Sequence, residues 1–277
     1  MTGLGRLARD PLTLLGIVLV VAIVLAAVLA PLIAPYDPNK ISVPQRFAAP
    51  SAAHWLGTDQ LGRDVLSRVL VGSRVALWVA LSSIGLSLVL GTALGLLAGY
   101  GPRWLDALLV LAFDSVRSFP TVMFALALVT ILGPSIGTII LIVVIFQVPS
   151  YGRLVRAQTL SLKSAEFITA ERSMGASLGR VLAVHLTPNV VGPLLILASM
   201  DIPSVIALEA GLSFLGLGVR PPNASWGTIL NDGYAFIRTT PWIVIAGGVP
   251  VALATLGFTF LGEGLRDTFD PRLRGGR

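Results

Sequence analysis

The sequence predicts an all-α, polytopic membrane protein with about six transmembrane helices. Three observations predict it. The 277 residues have a mean hydropathy of +0.85 and are only 12% charged, about half the charge usual in a soluble domain. Apolar runs of bilayer-crossing length recur along the chain. The alternating segments of about ten residues that build a transmembrane β-barrel do not occur.

The first helix is Leu12 to Ala34, 23 residues that reach about 34 Å as a helix. Arg6 and Arg9 precede it and favour a cytoplasmic N-terminus. The run exceeds the roughly 7–15 apolar residues of a cleaved signal peptide. Residues 35–75 form a polar, Pro-rich external loop containing HWLGTDQLGRDVLSRVL, His54 to Leu70. Within it Gly57 and Asp59 suit a turn. Thr58, Gly62, Arg63 and Asp64 complete a polar motif, and Val65, Leu66, Val69 and Leu70 suit a short amphipathic helix lying on the membrane.

Between Arg74 and Arg103 lie 28 uncharged residues, one helix from about Val75 to Gly99. The next uncharged interval, Arg117 to Arg153, holds 35, short of two full spans of about 20 residues and a turn. Two spans fit if charges enter the helix ends. The third helix then starts near Asp106 and carries Asp114 and Arg117 at i, i+3, where they can neutralise each other. An unpaired charge in the bilayer costs about 2.5–3.5 kcal/mol on insertion scales. Pro120 should kink this helix. The fourth runs from about Ser135 past Pro149, the fifth from about Val190 to Gly216, and the sixth from Thr239 to Gly262. Asp201 and Glu209 fall in the fifth, within a broad face. An external loop, 219–240, precedes the sixth. This topology puts twelve of the twenty Lys and Arg residues in cytoplasmic segments and seven outside, with Arg117 in a helix.

The polar stretch Ser161 to Asn189 concentrates Lys163, Glu166, Glu171, Arg172 and Arg180. It reads as a short helix, a glycine break and a second helix. Ser164 is placed to N-cap, and Glu166 suits the positive end of the helix dipole. Phe167, Ala170 and Met174 share one apolar stripe, with Thr169 and Arg172 elsewhere on the surface. Gly175 can end the helix with positive φ.

Composition excludes several functions. With no cysteine and only His54 and His185, a thiolate site is impossible and a histidine metal site improbable. Neither Lys40 nor Lys163 follows a glycine, so the chain has no phosphate-binding P-loop and any ATP-driven function needs a partner. No Ser-His-Asp set, HExxH motif or paired catalytic carboxylates stand out, so the chain reads as non-catalytic. The net charge of +6 fits loops facing anionic lipid rather than nucleic acid.

The polar stretch resembles the EAA loop of binding-protein-dependent ABC importer permeases. Thr169-Ala170-Glu171 takes the EAA position, Gly175 follows on time, and Pro188 lies thirteen residues further on. Thr169 stands where the family has Glu, Glu171 where it has its second Ala, and Thr187 where it has Leu. HWLGTDQLGRDVLSR, GLSFLGLGVRPPNASWG and GEGLRDTFDPRLR resemble the second permease of the peptide/nickel branch.

The resemblance implies a type I ABC importer permease fold. Residues 1–75 would carry the N-terminal segment, first helix and external loop, and residues 76–277 the core, with a coupling loop at 153–190. It implies half of a pathway for di- or oligopeptides, or for nickel chelates, in a bacterial or archaeal cytoplasmic membrane with both termini inside. The implied partners are a similar permease, two ATPase subunits holding ATP and Mg, and an external solute-binding protein. No cofactor is expected in this chain. Glu166, Phe167, Thr169, Ala170, Glu171, Arg172, Met174 and Gly175 would couple it to an ATPase. Asp114, Arg117, Asp201 and Glu209 are the intramembrane candidates, for bundle-internal pairing or for the pathway. A competing reading is a proton-coupled secondary transporter using Asp114, Asp201 or Glu209, although no inverted repeat is visible.

Overall fold

The computed structural model describes residues 10–269. Arg6, Arg9 and the tail residues from Asp270 lie outside them. Among the described residues the regular structure is helical, with one isolated bridge between Thr58 and Asp64. Five helices are long and apolar enough to cross a membrane, or six if one bent pair counts as a span. That agrees with the expected six.

Helix α1, Pro11–Ile33, matches the first predicted span. Asp10 caps it, accepting from the Thr13 amide at 2.8 Å, and Pro11 occupies the first turn, where its missing N–H costs nothing. Helix α2, Val65–Tyr100, is continuous for 36 residues. Segment 65–70, expected as a separate surface helix, therefore forms the first turns of α2. This is possible because Arg68 is neutralised by Asp59 of the preceding loop and by Asp232, far away in sequence.

Helices α3, Arg103–Arg117, and α4, Thr121–Leu132, meet at a 90° bend. Pro120 interrupts the helix more sharply than the kink expected of it. Helix α5 is Ile136–Leu162 and α6 is Glu166–Ser173. Helix α7, Leu178–Phe214, begins about one helical turn after α6 rather than near Val190. Ser177 caps its start, and a π turn at Val181–Leu186 leads into Thr187-Pro188, where a residue without an N–H needs a widened turn. Helix α8 is Trp226–Tyr234, opened by a capping box of Ser225 and Thr228. Ser225, part of a formal glycosylation sequon, is thus committed to that cap. Helix α9, Pro241–Phe269, runs past Gly262 into the tail motif.

The chain divides into two compact units. The first comprises residues 10–81, 128–140 and 200–269. Here α1 lies along α9 through small residues: a Cβ on Gly16 would stand 2.7 Å from the Leu261 amide. Val65, Ile229, Ile243 and Ala246 form a core with Phe47, Leu56, Val69 and Trp242 around it. The second unit comprises residues 82–127 and 141–199. In it Gly91, Gly95 and Gly99 lie on one face of α2 against Tyr151, Gly152, Val155 and Thr159 of α5.

Candidate functional site

In the second unit the polar stretch builds a short helix with two distinct sides. Ile168 is completely buried, in a cluster with Val181 and Leu186 that Leu96, Tyr100, Leu162 and Leu182 surround. Phe167 and Met174 are 45% and 76% exposed, and Ala170 is exposed with them. The predicted stripe is therefore the outward side. Ile168, which the stripe reading passed over, is the inward anchor.

The ends of α6 follow backbone chemistry. Glu166 lies in its first turn, as expected, but the N-cap is Ala165, which has no side-chain acceptor. Ser164 bonds back to the Ser161 carbonyl instead, so its predicted capping role is corrected. At the other end Gly175 has φ +85°, its amide bonds to the Arg172 carbonyl, and the Ala176 amide bonds to the Glu171 carbonyl. This is a Schellman stop, which a left-handed residue must complete. Nothing crowds a Cβ at Gly175, so the requirement lies in the backbone alone.

The charges of the stretch mostly tie it to its own unit. Lys163 donates to the Gly99 carbonyl at 2.9 Å, and the Arg172 guanidinium lies 6.0 Å from the Tyr100 ring centroid. Glu171 faces His185 at 3.4 Å and Arg180 at 3.9 Å. Thr169 bonds the Ala165 carbonyl of its own helix. Glu171 is thus turned toward α7, and Thr169 offers an exposed hydroxyl where the EAA pattern has a carboxylate.

The expected pair of Asp114 and Arg117 does not form. Asp114 pairs with Arg153, and Arg117 donates to Ser150 at 2.8 Å, both across to α5. An Asp106–Arg156 bidentate pair, with contacts of 2.5 and 2.8 Å, joins the same two helices. The i, i+3 spacing permitted a local pair, but Arg153 and Ser150 of a neighbouring helix take up the two charges instead.

In the first unit the loop motif folds into a charge cluster. Gly57 and Gly62 have φ of +72° and +73°, which turn the chain on both sides of Asp59. Asp59 accepts from the Leu61 and Arg63 amides and from Arg63 Nε at 2.6 Å, with Arg68 3.6 Å away. Thr58 donates to the Gln45 carbonyl. Asp64 accepts from Ser67 at the start of α2 and contacts His54 Nδ1 at 2.8 Å. Asp232 of α8 meets Arg63 at 3.1 Å and Arg68 at 3.5 Å. Burial raises its carboxyl above the ordinary value against the pull of both arginines. Asp232, about 170 residues away, carried no local signal.

On α7, Glu209 is fully buried and accepts from Ser213 Oγ at 2.7 Å, whereas Asp201 is half-buried. Both belong to the first unit, and Asp114 and Arg117 to the second.

The family model described as "binding-protein-dependent transport system inner membrane component" matches residues 91–275, and "N-terminal TM domain of oligopeptide transport permease C" matches residues 4–50. A dipeptide transport system permease protein of Alkalihalophilus pseudofirmus is 38% identical over 97% of this chain and 88% of its own. A putative peptide permease protein of Brucella suis is 40% identical over 96% and 89%. A glutathione transport system permease protein of Pectobacterium atrosepticum is 40% identical over 87% and 80%.

Proposed function

Because the chain belongs to the family of binding-protein-dependent transport-system inner-membrane components, we propose that it is one of two permease halves of an ATP-driven peptide importer, with α6 as its contact to an ATPase subunit. Members of the family are non-catalytic, multi-pass permeases of ABC importers. The two-sided α6 carries the coupling assignment. Its inner side is fixed by Ile168, and its outer side presents Phe167, Ala170 and Met174 to the surface, with the Phe167 ring meeting His185 edge-on at 6.4 Å between centroids. An exposed apolar side on a helix in a polar segment suits a protein groove, with Glu166 and Arg172 setting orientation.

Peptides are favoured over nickel chelates because the relatives named above are dipeptide, peptide and glutathione permeases. ATP and Mg then belong to the partner ATPases, a solute-binding protein delivers substrate, and both termini face the cytoplasm. When the ATPases close, α6 moves together with α5 and α7, its covalent neighbours, and opens the pathway alternately to either side. The test is reconstitution with a partner permease, ATPases and binding protein in proteoliposomes. ATP-dependent uptake of a short labelled peptide, lost when the ATPases are omitted, supports the reading. Uptake driven by a proton gradient with this chain alone overturns it.

A further inference from the structure

The first unit holds a cavity of about 260 Å³, smaller than the roughly 300–1,000 Å³ of sites that enclose drug-sized ligands. It can receive one end of a peptide rather than a whole one. Three guanidiniums, Arg63, Arg68 and Arg220, line it against one carboxylate, Asp232. Asp59 lies against Arg63 and Arg68, so these five groups leave one positive charge over.

The surplus can be located. Arg63 and Arg68 are buried and shared between Asp59 and Asp232. Arg220 is exposed and, among the described residues, has no hydrogen bond or ion pair. Neither has the Asn223 side chain beside it in the lining. On the acceptor side, Gln60 Oε1 is buried with no hydrogen-bond partner. The cavity therefore offers uncommitted donors with a positive charge, and an uncommitted acceptor that needs an N–H.

We propose that this cavity is a subsite for the C-terminal end of a peptide, with Arg220 and Asn223 receiving the α-carboxylate and Gln60 Oε1 receiving an adjacent amide N–H. The proposal rests on the peptide reading above. A peptide C-terminus carries both groups on neighbouring atoms, and a guanidinium can hold a carboxylate through two parallel hydrogen bonds. Arg63, Arg68, Asp59 and Asp232 form the buried wall behind it. A buried acceptor left unpaired penalises ligands that bring no donor, so the subsite favours peptides over simple carboxylates.

The test is calorimetric titration of the purified permease–ATPase complex, without binding protein, using tri-alanine, tri-alanine amide and acetate. The subsite requires that tri-alanine bind at least 10-fold more tightly than its amide or acetate. Arg220→Gln should weaken tri-alanine binding about 10-fold and erase the preference over the amide, and Arg220→Lys should restore part of it. Equal binding of acid and amide, no saturable binding, or an unchanged Arg220→Gln variant each overturns the proposal. ATP-driven uptake of tri-alanine is measured in parallel with binding protein present. Uptake without acid–amide discrimination in the titration refutes the subsite alone, whereas absence of ATP-dependent peptide uptake refutes the importer reading.

Discussion

Replacing Ile168 with alanine separates the two sides of α6. Its side chain is completely buried against Val181 and Leu186, with Leu96, Tyr100, Leu162 and Leu182 around it. Truncating a buried isoleucine costs about 2–5 kcal/mol. The other contacts of this segment, Arg172 with Tyr100, Lys163 with the Gly99 carbonyl, Glu171 with His185 and Arg180, and the Phe167 ring with His185, are each weak, and a cation–π contact contributes only about 0.5–1 kcal/mol at an exposed site. The loss should therefore appear as local opening of α6. Hydrogen–deuterium exchange of amides 168–176 in the purified complex should accelerate roughly 30-fold or more, since each ~1.4 kcal/mol is a factor of ten. Phe167→Ala and Met174→Ala remove exposed side chains. They should leave that exchange within about 2-fold, because surface changes rarely exceed ~0.5 kcal/mol, and yet lower the amount of ATPase co-purifying with the permease. Unchanged exchange in Ile168→Ala refutes the anchoring argument. Full ATPase recovery with Phe167→Ala and Met174→Ala combined refutes docking through the outer side.

Three further outcomes follow from the same structure. Gly175→Leu forces a branched residue into φ +85°, at about 1–2 kcal/mol, and should uncouple ATP hydrolysis from uptake; assembly and transport at wild-type rates count against the Schellman stop as a coupling element. Asp59→Asn removes the carboxylate that Arg63 and Arg68 share and should cost about 3–5 kcal/mol, the range for breaking a buried ion pair; an unchanged midpoint in detergent thermal unfolding contradicts this. The Asp10 carboxyl is held below its ordinary 3.8 by hydrogen bonds from Thr13, so its capping contribution is complete above that value and is lost as pH falls through the lower folded-state one. Protection of the Thr13 amide should fall on acidification in the wild type and be already low and pH-independent in Asp10→Ala, and an identical pH profile in both chains rejects the cap.

How legible these features were depended on the range of the interaction. The spans could be read because bilayer thickness sets a length that apolar runs must meet. Gly175 could be read because a left-handed stop selects glycine locally. The stripe of Phe167, Ala170 and Met174 was visible as a period, but a period does not say which side of a short helix its own chain already covers, and so Ile168 was missed. Asp114 and Arg117 show the converse failure: spacing within a helix counted only local partners, while Arg153 and Ser150 lay across the bundle. The start of α2 was misplaced for a related reason. The uncharged run began after Arg74, so the helix was started there, whereas Arg68 enters its first turns paired with Asp59 and with Asp232, a counter-charge that no local window contains.

The second unit also bears on the proposed role of α6 as a handle. Gly91, Gly95 and Gly99 bring the end of α2 so close to α5 that a Cβ at each would stand about 2.6 Å from Tyr151, Gly152 or Thr159 atoms. Gly152 in turn faces the Phe113 ring of α3. Small residues at such contacts let backbones approach closely, and close-packed interiors transmit displacement rather than absorbing it. The two chain segments that hold α6 from within, the end of α2 through Tyr100 and Gly99 and the end of α5 through Leu162 and Lys163, are themselves locked together by this contact. A push on Phe167 and Met174 therefore cannot be dissipated by α6 sliding on its base. Under the proposed docking it is passed to the ends of α2 and α5 and the start of α7 together, as a coupling helix requires of the segments behind it.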